Sequence, residues 1–325
     1  MIDRYNSIGS WLKKKYGCKV VKLSLDGGFT CPNRDGSKGT GGCLFCSEEG
    51  SGEHSSSFLD LDEIPHAMAE QVRLLSGKWP KCKYIAYFQS YTSTYGPVSR
   101  LRALYEEALK QPGVVGLAIA TRPDCLDDDV LDLLEELNDK TFLWVELGLQ
   151  TIHRQTMENM NLCYTLEDYD NAIKNLNERG IFTVTHLILG LPGETRDMML
   201  DSVRYVCGAG SGSDSKIRPC LKGDDPRVFG IKLHMLNVVK DTALAAAYPD
   251  YVPFETMEDY ADLVIDALEL IPPEVTIHRI YAEAPKNRLI SPSWAREKRK
   301  ALNTITRRMK ERDSRQGSCL SSVLS

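Results

Sequence analysis

Short apolar runs alternate with amphipathic segments along most of the 325 residues of this chain. The runs have the length of buried strands, and polar or glycine positions bound them. The predicted strands are Val20–Leu25, Tyr84–Phe88, Val115–Ala120, Phe142–Leu149, Phe182–Leu189, Phe229–Leu236 and Val275–Ile280. Near-continuous apolar strands separated by helices are typical of a parallel sheet covered by helices. The pattern therefore predicts an α/β protein, built as an incomplete or complete βα barrel rather than an open doubly wound sheet.

The intervening segments carry apolar residues at the spacing of one helix face, most clearly in residues 260–271. Thr165 is a predicted N-cap for a helix that Gly180 ends. Pro97 suits the first turn of a helix that reaches about Lys110. In parallel βα folds the carboxyl ends of the strands collect functional residues, so the site is predicted there.

Charge is distributed unevenly along the chain. The net charge is −5, yet residues 286–315 contain eleven Lys and Arg against three acids. That segment is therefore near +8 and the remainder near −13. A polyanionic partner such as nucleic acid explains this asymmetry, and a solvated terminal helix with a basic face explains it equally.

No signal-peptide pattern begins the chain, and no apolar run approaches the roughly 20 residues of a membrane span. We therefore expect a cytoplasmic protein without a membrane partner. Its ten cysteines would be reduced there. In that compartment a tight cysteine cluster indicates metal more often than a disulfide.

Three cysteines, Cys31, Cys43 and Cys46, lie in a glycine-rich loop directly after the first predicted strand. Three thiolates without a fourth ligand suit a [4Fe–4S] cluster that keeps one iron open. A structural zinc site is the alternative, and Cys18 or His54 would have to supply its fourth ligand.

Several strand-end motifs accompany the cysteines. They are Leu25-Asp-Gly-Gly-Phe-Thr-Cys31, Phe88-Gln-Ser-Tyr-Thr92, Thr121-Arg-Pro-Asp124, Glu146-Leu-Gly-Leu-Gln150, His186-Leu-Ile-Leu-Gly-Leu-Pro-Gly-Glu194, Ile231-Lys-Leu-His-Met-Leu236 and Ala284-Pro285. With these motifs the chain resembles the radical S-adenosylmethionine (SAM) superfamily, its Elongator-type subgroup and, within that subgroup, the YtqA/YhcC family. The resemblance covers residues 5–305. It implies a partial (β/α)6-type barrel with the cluster-binding loop after the first strand and a basic C-terminal helix.

The resemblance implies that Cys31, Cys43 and Cys46 bind the [4Fe–4S] cluster and that SAM chelates its open iron. One electron would cleave SAM to methionine and a 5′-deoxyadenosyl radical, which abstracts hydrogen from the substrate. The residues expected to contact SAM are Gln89, Ser90, Thr121, Arg122, Glu146, Gln150, His186, Gly190 and Pro192. Glu146 has a second interpretation, a charge paired inside the barrel with Arg122, and His186 a second one as a hydrogen-bonded core residue.

Two features depart from the family pattern. Leu162 follows Asn161 where the family carries Asn-Arg, so Arg122 or Arg154 would have to clamp the SAM carboxylate. Residues 207–227, rich in glycine, serine and aspartate, are predicted to be a flexible insertion. We expect a barrel domain over residues 1–285, with its cluster loop at 26–58, and a basic helical extension with a disordered tail over 286–325.

The resemblance implies an enzyme that modifies tRNA, at the C5 side chain of the wobble uridine. Residue-level support is the C-terminal basic segment together with Lys13, Lys14, Lys15 and Lys19. An electron donor such as flavodoxin or ferredoxin is the other expected partner. The alternatives are a radical SAM enzyme acting on a small metabolite or a protein, and a non-catalytic iron–sulfur or zinc RNA-binding protein.

Overall fold

The computed structural model describes residues 4–50, 55–58, 60–208 and 227–320. Its strands are β1 Lys19–Asp26, β2 Ser56–Ser57, β3 Cys82–Phe88, β4 Val114–Thr121, β5 Phe142–Gln150, β6 Phe182–Leu189, β7 Gly230–Met235, β8 Val238–Val239, β9 Thr276–Arg279 and β10 Leu289–Ser291. All seven predicted strands are confirmed, as β1, β3 to β7 and β9. The strands β2, β8 and β10 were not predicted because two or three residues are too few to show a periodicity.

Eight strands form one parallel sheet in the order β2-β1-β3-β4-β5-β6-β7-β9. The sheet forms a partial barrel, as predicted, and stays open between β9 and β1, because the two-residue β2 covers only the last two residues of β1. Beside it, β8 and β10 pair in antiparallel fashion. Because the main strands are parallel, their carboxyl ends share one edge, and the cysteine loop leaves β1 at that edge.

The helices surround the sheet. They are α1 Ile8–Tyr16, α2 Ile64–Ser76, α3 Val98–Leu109, α4 Asp128–Lys140, α5 Arg154–Asn159, α6 Leu166–Glu178, α7 Arg196–Val206, α8 Ala243–Ala247, α9 Met257–Leu270 and α10 Lys298–Glu311. Local sequence explains their ends. Thr165 caps α6 as predicted, because its side chain accepts a hydrogen bond from the backbone amide of Asp168. Pro97 is the N-cap residue of α3, one position before the predicted first turn, and Lys110 follows the helix where its end was predicted.

Alternation along the strands divides the core into two parts. The outward side chains of β1, Leu23 and Leu25, pack in the main cluster between sheet and helices. The inward side of the same strand carries Val20, which packs with Leu12 and Trp144 in a second, smaller cluster inside the barrel. This inner apolar cluster closes the amino-terminal end of the barrel.

The helix α1 completes that closure by contacting both open edges, β1 and β9. It also places the N-terminal lysines: Lys15 Nζ lies 4.9 Å from the ring centroid of Phe142, the first residue of β5. Lys19 is itself the first residue of β1. These lysines therefore lie at the amino edge of the sheet, opposite the cysteine loop. That these N-terminal lysines contact tRNA stays a prediction.

The C-terminal segment is part of the same packed body. Ala301, Ile305 and Met309 of α10 are buried in the main cluster, where α10 packs against α9. The basic helical extension that the sequence predicts over residues 286–325 is not one continuous helix. Instead, a 3-10 turn at Ser293–Arg296 precedes α10, with a non-helical backbone at Glu297 between them.

The C-terminal tail was predicted to be disordered, but up to Leu320 it is held in place by backbone hydrogen bonds. The backbone amide of Gly317 donates to Leu268 O and that of Cys319 to Glu269 O, so the segment is held against the end of α9. Residues 321–325 lie outside the described residues. So do residues 209–226, which contain most of the predicted flexible insertion.

Candidate active site

The three cysteines that follow β1 line one cavity of about 410 Å³ at the carboxyl edge of the sheet. Backbone hydrogen bonds shape their loop. The amide of Cys46 donates to Cys43 O at 2.9 Å, and the amide of Gly42 donates to Asn33 O at 2.8 Å. The turn between Cys43 and Cys46 places both thiols on the same side of the loop.

Asn161 ties this loop to the segment that follows α5. Its side-chain amide donates to Gly42 O at 2.8 Å, while the side-chain amide of Asn33 donates to Asn161 O at 2.5 Å. The neighbouring Leu162 is fully buried in the main cluster. The position where the family carries arginine is therefore a packing position here, and no guanidinium projects from it into the cavity.

The thiols influence one another electrostatically. Burial, together with the neighbouring Cys46 and Cys31, raises the pKa of Cys43 to about 12, while Arg122 acts in the opposite direction. A thiolate at Cys43 therefore needs a compensating positive charge. Iron supplies that charge, so this donor set fits a thiolate-ligated cluster.

Donors already point at two of the sulfurs. The side-chain amide of Asn33 lies 3.7 Å from Cys43 Sγ, and Arg122 Nη1 lies 4.0 Å from Cys31 Sγ. Hydrogen bonds and positive charge near the sulfurs stabilise the thiolate form and tune the potential of a bound cluster.

The zinc alternative lacks its proposed fourth ligand in the described residues. Cys18 precedes β1 and Cys31 follows it, so the eight-residue strand separates them by about 26 Å. His54 lies outside the described residues. Within the described part of the chain, no three His, Cys, Asp or Glu side chains converge to hold one metal ion. The thiolates of a cluster stand farther apart, because each binds a different iron.

Most of the predicted SAM contacts line the same cavity as the cysteines. These are Gln89, Thr121, Arg122, Glu146, Gln150 and His186. Gln150 ends β5 with a positive φ of 66°, and a bulge lies between it and Gly148. Despite this local departure from strand geometry, Gln150 lines the cavity together with Gly148 and Glu146.

Three predicted contacts are not among the residues that line this cavity: Ser90, Gly190 and Pro192. Ser90 is buried, and its Oγ has no hydrogen-bond partner in the described structure. At Gly190 a Cβ atom would lie 2.7 Å from the Phe254 ring and 2.9 Å from Pro253. Close packing against these side chains accounts for this glycine, and its predicted contact with SAM stays a prediction.

Arg122 is largely engaged by the protein. It pairs in bidentate fashion with Asp124, through Nε at 2.9 Å and Nη2 at 3.0 Å. Nη2 also lies 3.3 Å from Cys163 O. The remaining nitrogen, Nη1, faces Cys31. The predicted bidentate arginine therefore exists, but its carboxylate partner is Asp124.

Glu146 is paired inside the barrel, although not with Arg122 as suggested. Its Oε1 accepts from Lys22 Nζ at 2.6 Å and from Trp144 Nε1 at 2.9 Å. Its Oε2 accepts from Tyr87 OH at 2.6 Å and contacts Lys232 Nζ. Burial alone would raise the pKa of Glu146, but the two lysines hold it well below its usual range.

His186 completes this group. Its Nε2 lies 3.0 Å from Glu146 Oε2, so the ring donates from Nε2 and the expected hydrogen-bonded core role is present. Burial and the nearby Lys232 lower the pKa of His186 to about 4. The imidazole is therefore neutral near pH 7. Its ring stacks on His234, with centroids 5.2 Å apart.

Sequence reasoning missed Lys22 and Lys232. Each lies at an inward position of an otherwise apolar strand, and that interruption of the apolar pattern is a signal for a buried polar group. Arg34 and Tyr91 were missed as well. They line the cysteine end of the cavity, where the Arg34 guanidinium carbon lies 5.5 Å from the Tyr91 ring centroid.

A second cavity, of about 710 Å³, adjoins the first. Its basic lining consists of Lys286, Arg296, Lys298, Arg299, Lys300 and Arg307, and we name it the basic groove. Glu283 and Lys298, which pair with each other, line both cavities. Arg308 of α10 is not part of this lining and forms a bidentate pair with Asp262 of α9.

Comparison with known proteins identifies the family. The Radical SAM superfamily model matches residues 34–206, and the Radical_SAM C-terminal domain model matches residues 228–311. The chain is 41% identical over 320 residues to YtqA of Bacillus subtilis, covering 97% of this chain and 92% of that protein. It is 37% identical over 318 residues to YhcC of Escherichia coli K12, covering 97% and 95%. The chain thus belongs to the radical SAM superfamily and, within it, to the family of YtqA and YhcC.

Two further likenesses are more distant. The archaeal Methanocaldococcus infernus Elp3 structure has a TM-score of 0.62 at 17% identity, covering 91% of this chain and 64% of that one, and it shares the fold. The tRNA uridine(34) acetyltransferase of Methanocaldococcus jannaschii is 25% identical over 173 residues, covering 53% of this chain and 29% of that protein. As a member of the superfamily the protein is a radical SAM enzyme that uses a [4Fe–4S] cluster and SAM.

None of the described helices combines the length and hydropathy that are needed to cross a bilayer.

Proposed function

We propose that this radical SAM enzyme binds its cluster through Cys31, Cys43 and Cys46 and modifies tRNA at the C5 side chain of the wobble uridine. One observation carries the proposal: the cysteine cavity and the basic groove adjoin and share Glu283 and Lys298. A polyanion lying in the groove would thereby present one of its bases to the cysteine cavity.

The cavity residues have separable roles in this proposal. When bound, the cluster and SAM supply one-electron cleavage chemistry that removes hydrogen from an unactivated carbon. Gln89, Thr121 and Gln150 at the strand ends offer polar side chains to SAM. Arg122 and Asn33 donate toward Cys31 and Cys43 and so hold the thiolates. The buried Glu146 group fixes the wall of the cavity beneath them.

The tRNA substrate has two independent supports. The groove presents six cationic side chains against two carboxylates, Glu283 and Glu297, which suits a phosphate backbone. The second support is the partial match to a tRNA uridine(34) acetyltransferase, which covers 53% of this chain. The acetyltransferase chemistry of that protein is not carried over.

Remaining elements of the proposal concern the setting of the reaction. An electron donor such as flavodoxin or ferredoxin would reduce the cluster, and a cytoplasmic location would keep the ten cysteines reduced.

We also propose residues 1–285 as the catalytic segment and 286–325 as the segment that contacts tRNA.

Mass spectrometry of tRNA nucleosides tests the function. Cells that lack the protein should lose or accumulate one modified uridine, and the wild-type gene should restore the normal pattern. The Cys43→Ala variant should fail to restore it, whereas Cys163→Ala, at a nearby exposed cysteine, should succeed. An unchanged tRNA nucleoside profile in the deletion strain rejects tRNA as the substrate. Turnover of a small molecule by the purified enzyme would then support the metabolite alternative.

A further inference from the structure

The barrel interior holds more positive than negative charge. Lys22 on β1 and Lys232 on β7 both contact Glu146. Arg279, the last residue of β9, is a third cation, and no hydrogen bond or ion pair of its side chain occurs within the described residues. Besides burial, both Lys22 and Arg279 lower the pKa of Lys232. Lys22 and Lys232 therefore share one carboxylate, and Arg279 adds a cation that pairs with no carboxylate of the described residues.

Other titratable groups facing this space do not restore the balance. Burial raises the pKa of Tyr87 on β3 well above its usual value, so the phenol is neutral. His186 is neutral near pH 7, as described above. Burial and Arg279 lower the pKa of His234, and burial and Lys22 lower that of His278. The next carboxylate on the cavity wall, Glu283, already pairs with Lys298.

The charged layer is accessible. It lies between the apolar cluster that closes the amino-terminal end of the barrel and the cysteines at the opposite edge. Lys232, His234 and Arg279 line the same cavity as the cysteines. Arg279 also lines a neighbouring cavity of about 310 Å³ beside the start of α1, on the open side of the barrel. The Lys22 side chain, 24% exposed, lies on the opposite edge strand of that opening.

We propose that Lys22, Lys232 and Arg279 form a subsite for an oxyanion, a carboxylate or phosphate group, carried by a small organic ligand. An oxyanion there would meet donors from β1, β7 and β9, and hydrogen bonds from charged donors to an oxyanion are stronger than those between neutral groups. The rest of the ligand extends toward the cysteine end of the cavity. This inference goes beyond the proposed function, because it adds a second ligand group to the cavity. The oxyanion belongs either to a free co-substrate or to an acidic substituent on a base of the RNA.

Isothermal titration of the full-length, cluster-containing protein tests the subsite. The probes are succinate and inorganic phosphate, each added under anaerobic conditions at constant ionic strength. We expect saturable binding of at least one probe to the wild type and at least tenfold weaker binding to Arg279→Gln. Arg279 is exposed, so this variant should fold. Lys174→Gln, which removes an exposed cation on the outer helix α6, should bind like the wild type.

A second measurement does not depend on binding heat. A bound anion favours protonated imidazole, so saturating succinate or phosphate should raise the pKa of His186, followed by NMR, and the shift should vanish in Arg279→Gln. Competition with tRNA separates the two sources, because displacement of the probe indicates an acidic substituent on RNA and independent binding indicates a free co-substrate. Failure of both probes to bind, or equal affinity in Arg279→Gln, overturns the subsite. Either result leaves the tRNA nucleoside test of the proposed function unaffected.

Discussion

Lys22 reaches from β1 to Glu146 on β5, with its Nζ 2.6 Å from Oε1, although β3 and β4 separate the two strands in the sheet. The pair spans the concave side of the partial barrel. Glu146 is fully buried, and Lys232 approaches its other oxygen from β7. One carboxylate thus connects three strands across the interior.

We expect Glu146→Gln to destabilise the protein strongly. The amide keeps the shape of the side chain but leaves Lys22 and Lys232 without a counter-charge in a buried place. Loss of one partner of a buried ion pair costs about 3–5 kcal/mol. The free energy of unfolding in urea at pH 7 measures this loss. Glu158→Gln, at an exposed carboxylate paired with Arg154, should leave stability unchanged.

The pH dependence of that difference has a defined sign. Because the folded-state pKa of Glu146 is depressed, its contribution is present above the unfolded value of about 4.3 and is lost as pH falls through the folded pKa. The stability gap between wild type and Glu146→Gln should therefore shrink in acid. A gap that stays constant as the pH falls well below 4.3 would contradict the pairing.

Much of this architecture was predictable from the sequence. The seven main strands follow from their apolar runs, and alternation along β5 correctly placed Glu146, Gly148 and Gln150 on one side. The partners of Glu146 were not predictable in the same way. Lys22 and Lys232 are 210 residues apart in sequence, and periodicity shows which side a residue faces but not which strands face each other.

Resemblance to a family has a different limit. It predicts the role of a residue, but it does not predict which neighbours that residue contacts in this chain. Arg122 lies at the expected strand end, but its guanidinium forms its bidentate pair with Asp124, only two residues away. Gly190 lies in the expected turn, yet its open side faces Phe254. Both local geometries were foreseeable, but the neighbours that occupy them depend on tertiary packing.

Cys43→Ala should abolish cluster binding. Anaerobically purified wild type should contain about four irons and four sulfides per chain, whereas the variant should contain little of either. Cys163→Ala is the matched control, because this exposed cysteine follows α5 near the loop but is not one of the trio. One zinc per chain in the wild type would contradict the assignment.

Arg122 has two candidate roles, positioning Cys31 or binding the SAM carboxylate, and a pair of variants distinguishes them. If it positions Cys31 through its bidentate contact with Asp124, then Arg122→Lys and Asp124→Asn should share one defect, a lowered iron content. We expect that shared defect. If Arg122 instead clamps the SAM carboxylate, Arg122→Lys alone should weaken SAM binding, measured by titration, while Asp124→Asn frees the guanidinium and leaves SAM affinity intact.

Gly190→Ala and Gly193→Ala should differ in cost although both glycines have similar backbones, with φ of 89° and 88°. The left-handed conformation costs each alanine about 1–2 kcal/mol. A Cβ at Gly190 would also overlap Phe254 and Pro253, whereas Gly193 has open space around it. Overpacking adds about 1–3 kcal/mol at Gly190 only. Urea unfolding should show this difference, and equal losses would mean that the Phe254 ring moves aside freely.

The basic groove makes a prediction about salt. Arg299 and Lys300 are exposed cations of the groove, so Arg299→Gln with Lys300→Gln should weaken tRNA binding and reduce the slope of log affinity against log salt by about 1–2. Arg308→Gln is the matched comparison, because that side chain pairs with Asp262 instead of lining the groove. It should lower stability while preserving the salt slope. Affinity measured by filter binding over a range of salt separates these outcomes, and an unchanged slope in the double variant would remove the groove from the interface. The groove adjoins the cysteine cavity at Lys298. An unchanged salt slope in the double variant would therefore also mean that bound RNA does not reach the cysteines through this groove.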